Sequence, residues 1–299
     1  MHGKHTPRLR ALRVASPTPL QGATPADRRS RIRGVSRKGV TVLIALAAAS
    51  MPIADAWAQA TCAKPVYLTF DTGHMAIAPL VADVLKRQDV RVTFFAAAEP
   101  TKVGGDSLDD HWASWWKARA AEGNEFGSHT YDHAYWRADV KGTPPSFRIK
   151  PSAGPQNGKE STWSAAEYCA NIRKSSDRLA AITGKKPLPL YRAPGGKTSP
   201  ALLAAAEGCG YKYVGWAPAG FLGDELPSEK FSNAKLLTQA LDTIRPGDIL
   251  LAHLGIWSRK DPWAPANLEP LIVGLKAKGF CFQTLRQHPD YRAWIASHS

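Results

Sequence analysis

Five polar side chains that are suited to acid–base and metal chemistry each follow a short apolar run of the chain. They are Asp71, His129, His133, Arg192 and His253. Carboxylates and imidazoles exchange protons near neutral pH, and imidazole is also a common ligand of divalent cations. An arginine at the end of a buried strand pairs naturally with a buried carboxylate. Their shared position after apolar runs predicts one site of metal-assisted acid–base chemistry.

His129 and His133 are four residues apart and follow a predicted strand, so a tight turn must bring their rings together. Two imidazoles and one oxygen ligand suit Zn²⁺ or a similar ion and leave positions open for water and substrate. An isolated pair with this spacing is more often two surface or hydrogen-bonded histidines. Because Asp71, Arg192 and His253 lie at the ends of other predicted strands, a metal site is favoured here.

Simpler interpretations exist for the single residues. Asp71 or His74 would cap the helix that is predicted from Ile77. Arg192 would be a surface cation, and His253 would be a core histidine bonded to the backbone. The pattern of all these residues together, rather than any one of them, carries the prediction.

The elements that must position these residues alternate between strands and helices. The predicted strands are short and largely apolar, as expected for parallel strands covered on both faces. They are Val66–Phe70, Val92–Ala97, Glu125–Ser128, Leu188–Arg192, Tyr211–Trp216, Asp248–His253 and Phe280–Leu285. The predicted helices are Ile77–Gln88, Asp109–Ala121, Ala165–Thr183, Pro200–Glu207, Ala234–Ile244 and Ala266–Lys278. This order predicts an α/β fold whose chemistry gathers at the C-terminal ends of the strands.

Two features stand outside this alternation. Residues 141–161 hold four prolines and several glycines and are predicted to be a long loop without secondary structure.

The tryptophans are of two kinds. Trp112, Trp115 and Trp116 have the spacing of one helix face, which favours packing against the core. Trp257 and Trp263 follow the sixth predicted strand and are candidates either for stacking on sugar rings or for loop packing.

The first 60 residues carry much of the formal charge of +14, because they contain ten of the 39 Lys and Arg and two of the 25 acidic residues. An apolar run after Lys38 is too short to span a bilayer and precedes the cleavage pattern Ala58-Gln59-Ala60. We predict an export segment over residues 1–60 and one domain over 61–299, periplasmic or secreted, with no stable membrane span after signal removal. A buried core helix or a retained anchor is the alternative. Because much of the basic charge lies in the segment that is predicted to be removed, a nucleic-acid partner is not favoured, and the remaining +6 still suits an anionic wall polymer or a membrane surface.

Four cysteines lie in the predicted mature chain, at Cys62, Cys169, Cys209 and Cys281. Export permits disulfides, and four cysteines allow three pairings between which the sequence does not choose. Four buried free thiols are the alternative.

Five segments over about residues 64–286 together resemble the polysaccharide deacetylases of the NodB-homology type, carbohydrate esterase family 4. They are Thr69–Gly73, His129–His133, Arg192–Pro194, Trp216 and Leu251–His253. The resemblance implies a distorted (β/α)7 barrel. It also implies metal-dependent removal of N-acetyl groups from a glycan such as peptidoglycan, a chitin oligomer or an exopolysaccharide.

The resemblance assigns the central roles. Asp71 is the general base, Arg192 orients it, and His253 protonates the departing amine. His129 and His133 hold a divalent metal, for which Zn²⁺ is favoured and Co²⁺ or Ni²⁺ are alternatives.

The resemblance also implies a pocket for the acetyl group. The backbone N–H of Gly195 faces the oxyanion, where such a donor is typically worth ~3 kcal/mol. The other pocket residues are Pro194, Trp216 and Leu251.

The resemblance fails at Thr72, where the family has an aspartate that is the third metal ligand. We expect a working but weaker site in which Thr72 is a weak or water-mediated ligand. One alternative is that Asp132 replaces the missing ligand. Another is that the site binds no metal and the protein is a glycan-binding pseudoenzyme. A third is an O-acetyl esterase on the same scaffold. The acidic partner of His253 is not evident, and Asp224 is a candidate.

Overall fold

The computed structural model describes residues 62–299, and the predicted export segment lies outside them. Seven strands form one parallel sheet: β1 (Pro65–Asp71), β2 (Thr93–Ala96), β3 (Glu125–Ser128), β7 (Leu190–Tyr191), β8 (Lys212–Tyr213), β9 (Ile249–His253) and β10 (Cys281–Phe282). Three strands form a separate antiparallel sheet: β4 (Ala134–Val140), β5 (Ser146–Pro151) and β6 (Ser161–Ser164). Each of the seven predicted strands has a counterpart in the parallel sheet, although β7, β8 and β10 are shorter than predicted.

The helices connect these strands. They are α1 (Ala78–Arg87), α2 (Ala113–Ala121), α3 (Ala165–Thr183), α4 (Pro200–Gly208), α5 (Asn233–Thr243), α6 (Trp263–Ala277) and α7 (Pro289–His298). The six predicted helices are confirmed to within about four residues, whereas α7 has no counterpart among the predictions. Within residues 62–299, none of the helices has the length and apolar character that crossing a bilayer requires.

The parallel strands pair in the order β10-β1-β2-β3-β7-β8, and β9 also pairs with β1. In this register Asp71 lies level with Phe95 of β2 and with His253 of β9. Within residues 62–299 no ladder of strand pairs joins β8 to β9, so the sheet is a curled half-barrel. The α/β fold predicted from the sequence is therefore confirmed, and its C-terminal strand ends meet on one face.

The core shows why α2 lies where it does. Trp116 is fully buried, and its ring lies 5.9 Å from those of Phe94 and Phe126 on β2 and β3. Trp115 is 5.5 Å from Phe94. The tryptophans with helical spacing are thus packing residues, as predicted, and they fix the helix against the sheet.

The prediction of a structureless loop over residues 141–161 is wrong, because the segment contains β5 and the turns that join it to β4 and β6. Phe147 and Ile149 alternate inward along β5 and are fully buried, so their period of two is a strand signal that the prolines obscured. Pro151 is the last residue of β5, a position that a strand tolerates.

Two disulfides close the chain, Cys62–Cys281 and Cys169–Cys209. The first ties the residues before β1 to β10, and the second ties α3 to the end of α4. This is one of the three pairings that the sequence left open, and it excludes four free thiols.

We predict that loss of the longer cross-link costs more stability than loss of the shorter one. The disulfides close loops of 219 and 40 residues, for which restriction of the unfolded chain is worth about 5 and about 4 kcal/mol. Urea unfolding of Cys62→Ser/Cys281→Ser and Cys169→Ser/Cys209→Ser should give free energies of unfolding in that order. Four titratable thiols in the unreduced, denatured wild-type protein would contradict both pairings.

Candidate active site

A buried ion pair joins two ends of the parallel sheet. Asp71 ends β1, and its Oδ1 accepts a hydrogen bond of 2.8 Å from Nη1 of Arg192, which follows β7 and is fully buried. The guanidinium also donates to Thr69 Oγ1 and to the carbonyl oxygens of Val214 and Gly215. The side chain of Arg192 therefore has a single orientation, and it fixes the carboxylate of Asp71.

The charges around Asp71 keep it ionised. Burial alone would raise the pKa of this carboxyl, but Arg192, His129 and His253 together lower it below its ordinary value. The Oδ2 of Asp71 lies 3.4 Å from Nε2 of His129. A carboxylate held in this way can accept a proton at neutral pH.

The two histidines lie on a turn with unusual backbone angles after β3. Thr130 and His133 have φ angles of 58° and 49°, and the turn brings the two Nε2 atoms to 3.2 Å. Nδ1 of His129 lies 2.9 Å from the carbonyl oxygen of Arg192. A carbonyl only accepts, so Nδ1 of His129 carries a proton, and in the neutral ring Nε2 presents a lone pair.

Burial lowers the pKa of His133 to about 4, so this ring is neutral at neutral pH. Its Nδ1 is hydrogen-bonded to Ser152 Oγ, and Ser152 lies just beyond β5. Each imidazole thus has its Nδ1 occupied by a partner, the arrangement that typically orients a metal-ligating histidine.

The two nitrogens fit a divalent cation. Ligands of one Zn²⁺ at 2.0–2.1 Å in tetrahedral geometry are about 3.3 Å apart, close to the 3.2 Å between the Nε2 atoms of His129 and His133. Among residues 62–299, no group of three or more His, Cys, Asp and Glu is arranged to hold an ion. The two Nε2 atoms therefore have the spacing that a divalent cation requires, without a third His, Cys, Asp or Glu ligand among the described residues.

Thr72 is tied to the next strand end along the sheet. Its Oγ1 accepts the N–H of Ala97 at 3.0 Å and donates to Oε2 of Glu99 at 2.7 Å. Asp132, the alternative oxygen ligand, is instead bonded to Asn171 on α3 and does not line the cleft. Its short side chain is held against α3, so that alternative is wrong.

His253 has the acidic partner that the sequence left uncertain. Asp224 accepts the backbone N–H of His253 at 2.6 Å and lies 3.0 Å from its Nδ1. Burial would lower the pKa of His253, but Asp224 chiefly raises it to about 9. The imidazole is therefore protonated at neutral pH and can donate a proton.

These groups line one cleft with a volume of about 490 Å³ at the C-terminal face of the sheet. The pocket residues Gly195, Trp216 and Leu251 line it, as do Asp71, His129, His133 and His253. Pro194 does not: it is buried at the start of the short 3₁₀ turn that gives Gly195 a φ angle of 63°. Pro194 is thus next to the lining residue Gly195 without lining the cleft itself.

Several lining residues were not predicted, among them Tyr135, Ser152, Glu225 and Glu99. Tyr135 and Ser152 come from the antiparallel sheet, whose strands the sequence analysis missed, and Glu225 follows Asp224. Glu99 follows β2, and its position at a strand end is a signal that would have identified it.

Of the remaining candidate residues, Trp257 lies at the cleft, whereas Trp263 and His74 do not line it. Trp257 is 62% exposed at the rim of the cleft, whereas Trp263 is buried at the start of α6, so sugar stacking by Trp263 is excluded. His74 accepts the N–H of Ala76 through Nδ1 and caps the turn before α1 rather than the helix itself. Its ring lies edge-on to Trp257 at 5.2 Å.

Comparison with known proteins agrees with this geometry. Residues 58–214 match the family model described as polysaccharide deacetylase. This match covers more than half of the chain, so the chain belongs to the polysaccharide deacetylase family. The predicted enzyme class, a deacetylase of the hydrolase type, is confirmed at this level.

A chitooligosaccharide deacetylase of Azorhizobium caulinodans is 26% identical over 230 residues, which cover 74% of this chain and 92% of the relative. A family 4 acetyl xylan esterase from Clostridium thermocellum, in complex with a cobalt ion, is 21% identical with a TM-score of 0.57 and covers 77% and 92% of the two chains. A family 4 pseudoenzyme from Bacillus anthracis is 19% identical with a TM-score of 0.55 and covers 75% and 65%. The two structures show the fold alone.

We predict that Asp224→Asn lowers the pKa of His253 from about 9 toward its ordinary 6.5 or below, because burial is then opposed by less negative charge. In the wild-type protein a raised pKa stabilises the fold fully below pH 6.5, and this contribution is lost as pH rises through about 9. Histidine NMR titration and unfolding at pH 6 and 10 would measure both effects.

Glu225→Gln is the matched control for this variant, since Glu225 raises the same pKa least among the charges named for it. An unchanged His253 titration in Asp224→Asn would show that Asp224 does not hold the proton on this ring.

Proposed function

We propose that the protein removes N-acetyl groups from an extracytoplasmic glycan by metal-assisted hydrolysis. The observation that carries the proposal is the presence, side by side in one cleft, of an ionised carboxylate and a protonated imidazole. Asp71 is held ionised by Arg192, and His253 is held protonated by Asp224. Amide hydrolysis needs this division, since one group must take a proton from water and another must give one to the departing nitrogen.

Asp71 accepts the proton of the attacking water as its oxygen adds to the acetyl carbonyl carbon. Arg192 keeps the carboxylate aimed at the cleft, and its own charge favours the ionised form. The backbone N–H of Gly195, in the 3₁₀ turn, stabilises the oxyanion that forms when water adds to the carbonyl. His253 then donates its proton to the nitrogen, the C–N bond breaks, and acetate and a free amine remain.

His129 and His133 would hold the divalent cation, with Thr72 as a weak or water-mediated ligand. A bound Zn²⁺, Co²⁺ or Ni²⁺ supplies Lewis acidity, which polarises the carbonyl and lowers the pKa of water toward about 7. The proton on Nδ1 of His129 and the low pKa of His133 keep both Nε2 atoms free to bind it.

The substrate class follows from the shape of the cleft and from the family. A cleft that opens at the surface beside an exposed Trp257 suits a sugar chain bound along its rim. The 26% identical chitooligosaccharide deacetylase supports an N-acetylated sugar. Peptidoglycan, chitin oligomers and exopolysaccharide all fit, and the two disulfides suit a periplasmic or secreted enzyme.

A glycan-binding pseudoenzyme is the second candidate, and the neutral Thr72 favours it. The hydroxyl proton of Thr72 is donated to Glu99, which leaves one lone pair for a cation. Acetate release from N-acetylated chitooligosaccharide and peptidoglycan, with and without added Zn²⁺ or Co²⁺, separates the two candidates. Release only from O-acetylated xylan would identify an O-acetyl esterase instead.

We predict that Asp71→Asn lowers the rate of acetate release by at least about 100-fold, the usual contribution of a general base. Metal binding should persist, because both imidazoles remain. Acetate assays and Co²⁺ titration measure the two effects, with circular dichroism to check folding, since Arg192 loses its charged partner.

Asp83→Asn on the exposed face of α1 is the matched control for this substitution. Wild-type turnover in Asp71→Asn would refute the assignment of the base.

We predict that Trp257→Ala raises KM for a chitooligosaccharide by about 2- to 10-fold, because an aromatic face at the rim is worth about 0.5–1.5 kcal/mol. The kcat should stay within about two-fold. Val103→Ala is the matched control, since Val103 is 61% exposed but lies outside the cleft lining. An unchanged KM would exclude stacking at Trp257.

A further inference from the structure

The antiparallel sheet of β4, β5 and β6 adds a wall to the cleft that the parallel sheet does not supply. Tyr135 of β4 and Ser152, just beyond β5, both line the cleft. One face of this small sheet is covered, because Phe147 and Ile149 are fully buried. Their neighbours along β5 lie on the other face, which also carries Tyr135 and the exposed Arg148. This outward face is therefore continuous with the cleft and open to solvent.

Tyr135 brings the outward face up to the proposed reaction centre. Its ring centroid lies 4.9 Å from that of His133. A Cβ added at position 195 would lie 2.9 Å from Cε1 of Tyr135, so the ring packs directly against the backbone of Gly195. Tyr135 thus borders both a proposed cation ligand and the proposed oxyanion donor. A group that is bound beside Tyr135 lies next to the reacting sugar.

Two cations flank Tyr135 on this face. The guanidinium of Arg137 lies 5.9 Å from the centre of the Tyr135 ring, and Lys150 is the direct neighbour of Tyr135 across β4 and β5. Arg137 is exposed, and the pairing of the two strands shifts between Trp136 and Ala138 so that Arg137 has no partner on β5. Such an extra residue in one strand commonly re-aims a side chain beside an active site.

Neither cation is neutralised by the chain itself. In the part of the chain that the structure describes, no Asp or Glu lies within ion-pair distance of Arg137 or Lys150. In contrast, Arg148, which is further from Tyr135 on the same face, pairs with Glu160 at 2.7 Å. Asp139 of β4 instead accepts a hydrogen bond of 2.6 Å from Ser199 Oγ. The sheet thus leaves free the two cations that lie beside the cleft.

The charges of the cleft differ from one side to the other. A guanidinium and an ammonium side by side attract an anion, and the planar guanidinium matches a carboxylate in particular. The His253 side of the cleft instead carries the exposed Glu225, which follows Asp224 and repels an anion. An acidic group of a bound chain is therefore favoured beside Tyr135 and disfavoured beside His253.

We propose that Arg137 and Lys150 bind a carboxylate on the sugar next to the one that loses its acetyl group. The substrate class is then an N-acetylated glycan whose chain contains acidic sugars, rather than a neutral chitin oligomer. Because both cations flank Tyr135 at the cleft, the carboxylate belongs to the sugar itself and not to the end of a long substituent. The inference rests on the proposed function, since it places the N-acetylated sugar in the cleft.

The test compares two oligosaccharides that differ only in charge. A hyaluronan hexasaccharide alternates N-acetylglucosamine with glucuronate, and its carboxyl-reduced form has hydroxyl groups in place of the carboxylates. Calorimetry on the full chain measures both affinities without a need for turnover. The wild-type protein should bind the acidic form about 2- to 10-fold more tightly, as two exposed charge pairs allow. The ratio should fall in about 0.5 M NaCl, which screens exposed charges.

Substitutions assign this preference to the outward face. Arg137→Gln/Lys150→Gln should bring the ratio of the two affinities to about one, whereas Arg137→Lys should keep most of the preference. Arg91→Gln/Lys117→Gln is the matched control, because it removes the same charge from exposed positions outside the cleft lining. It should keep the wild-type ratio. Circular dichroism checks folding, and Arg137→Gln alone is the substitute if the double variant does not fold.

Equal affinities in the wild-type protein, or an unchanged ratio in Arg137→Gln/Lys150→Gln, would overturn the inference. An equal loss in the matched control would also overturn it, because net charge alone would then explain the preference. A muropeptide that binds more tightly than the hexasaccharide through these two cations would place the carboxylate on a peptide and refute the acidic sugar.

Acetate release separates this inference from the proposed function. If both oligosaccharides release acetate with the same KM, the proposed function stands and the inference fails. If binding depends on Arg137 and Lys150 but no N-acetylated glycan releases acetate, the binding face stands and the proposed function fails.

Discussion

The arrangement of the site depends on one buried ion pair. Two ions removed from water are costly unless each has good partners, and loss of one partner typically costs 3–5 kcal/mol. Arg192 meets this condition with four acceptors, of which Asp71 is the charged one. The pair spans β1 and β7, which are separated in the sheet by β2 and β3. The same interaction therefore favours the ionised form of Asp71, the proposed base, and holds two distant strand ends at a fixed separation.

Arg192 links the two halves of the site through its backbone as well. Its carbonyl oxygen accepts from Nδ1 of His129 while its guanidinium binds Asp71. The proposed base and the proposed cation ligand are thus held by opposite ends of one residue. A displacement of Arg192 would move both, so substitutions at these three positions should not be additive.

The parallel sheet and the residues at its strand ends could be predicted from sequence because the signals are local. Apolar runs such as Ile249–His253 mark strands, and parallel topology alone brings their ends together. Residues 141–161 were missed because prolines dominate the local pattern, although Phe147 and Ile149 carry the period of a strand. Ser152 and Tyr135 entered the cleft only through that sheet, and no local pattern could place them there. Glu99 was missed although it follows β2, a position that a local pattern could have identified.

The disulfide near the start of β1 determines on which side the domain can be attached to a support. Cys62 is joined to Cys281 beside the first residues of β1, whereas Asp71 ends that strand. Seven residues of strand at about 3.3 Å each put the two ends about 20 Å apart. A tether joined ahead of Cys62 would leave the domain from the side opposite the cleft, and the disulfide would divide any pull between β1 and β10. Immobilisation through the amino-terminal side should therefore leave the cleft open to a long polymer.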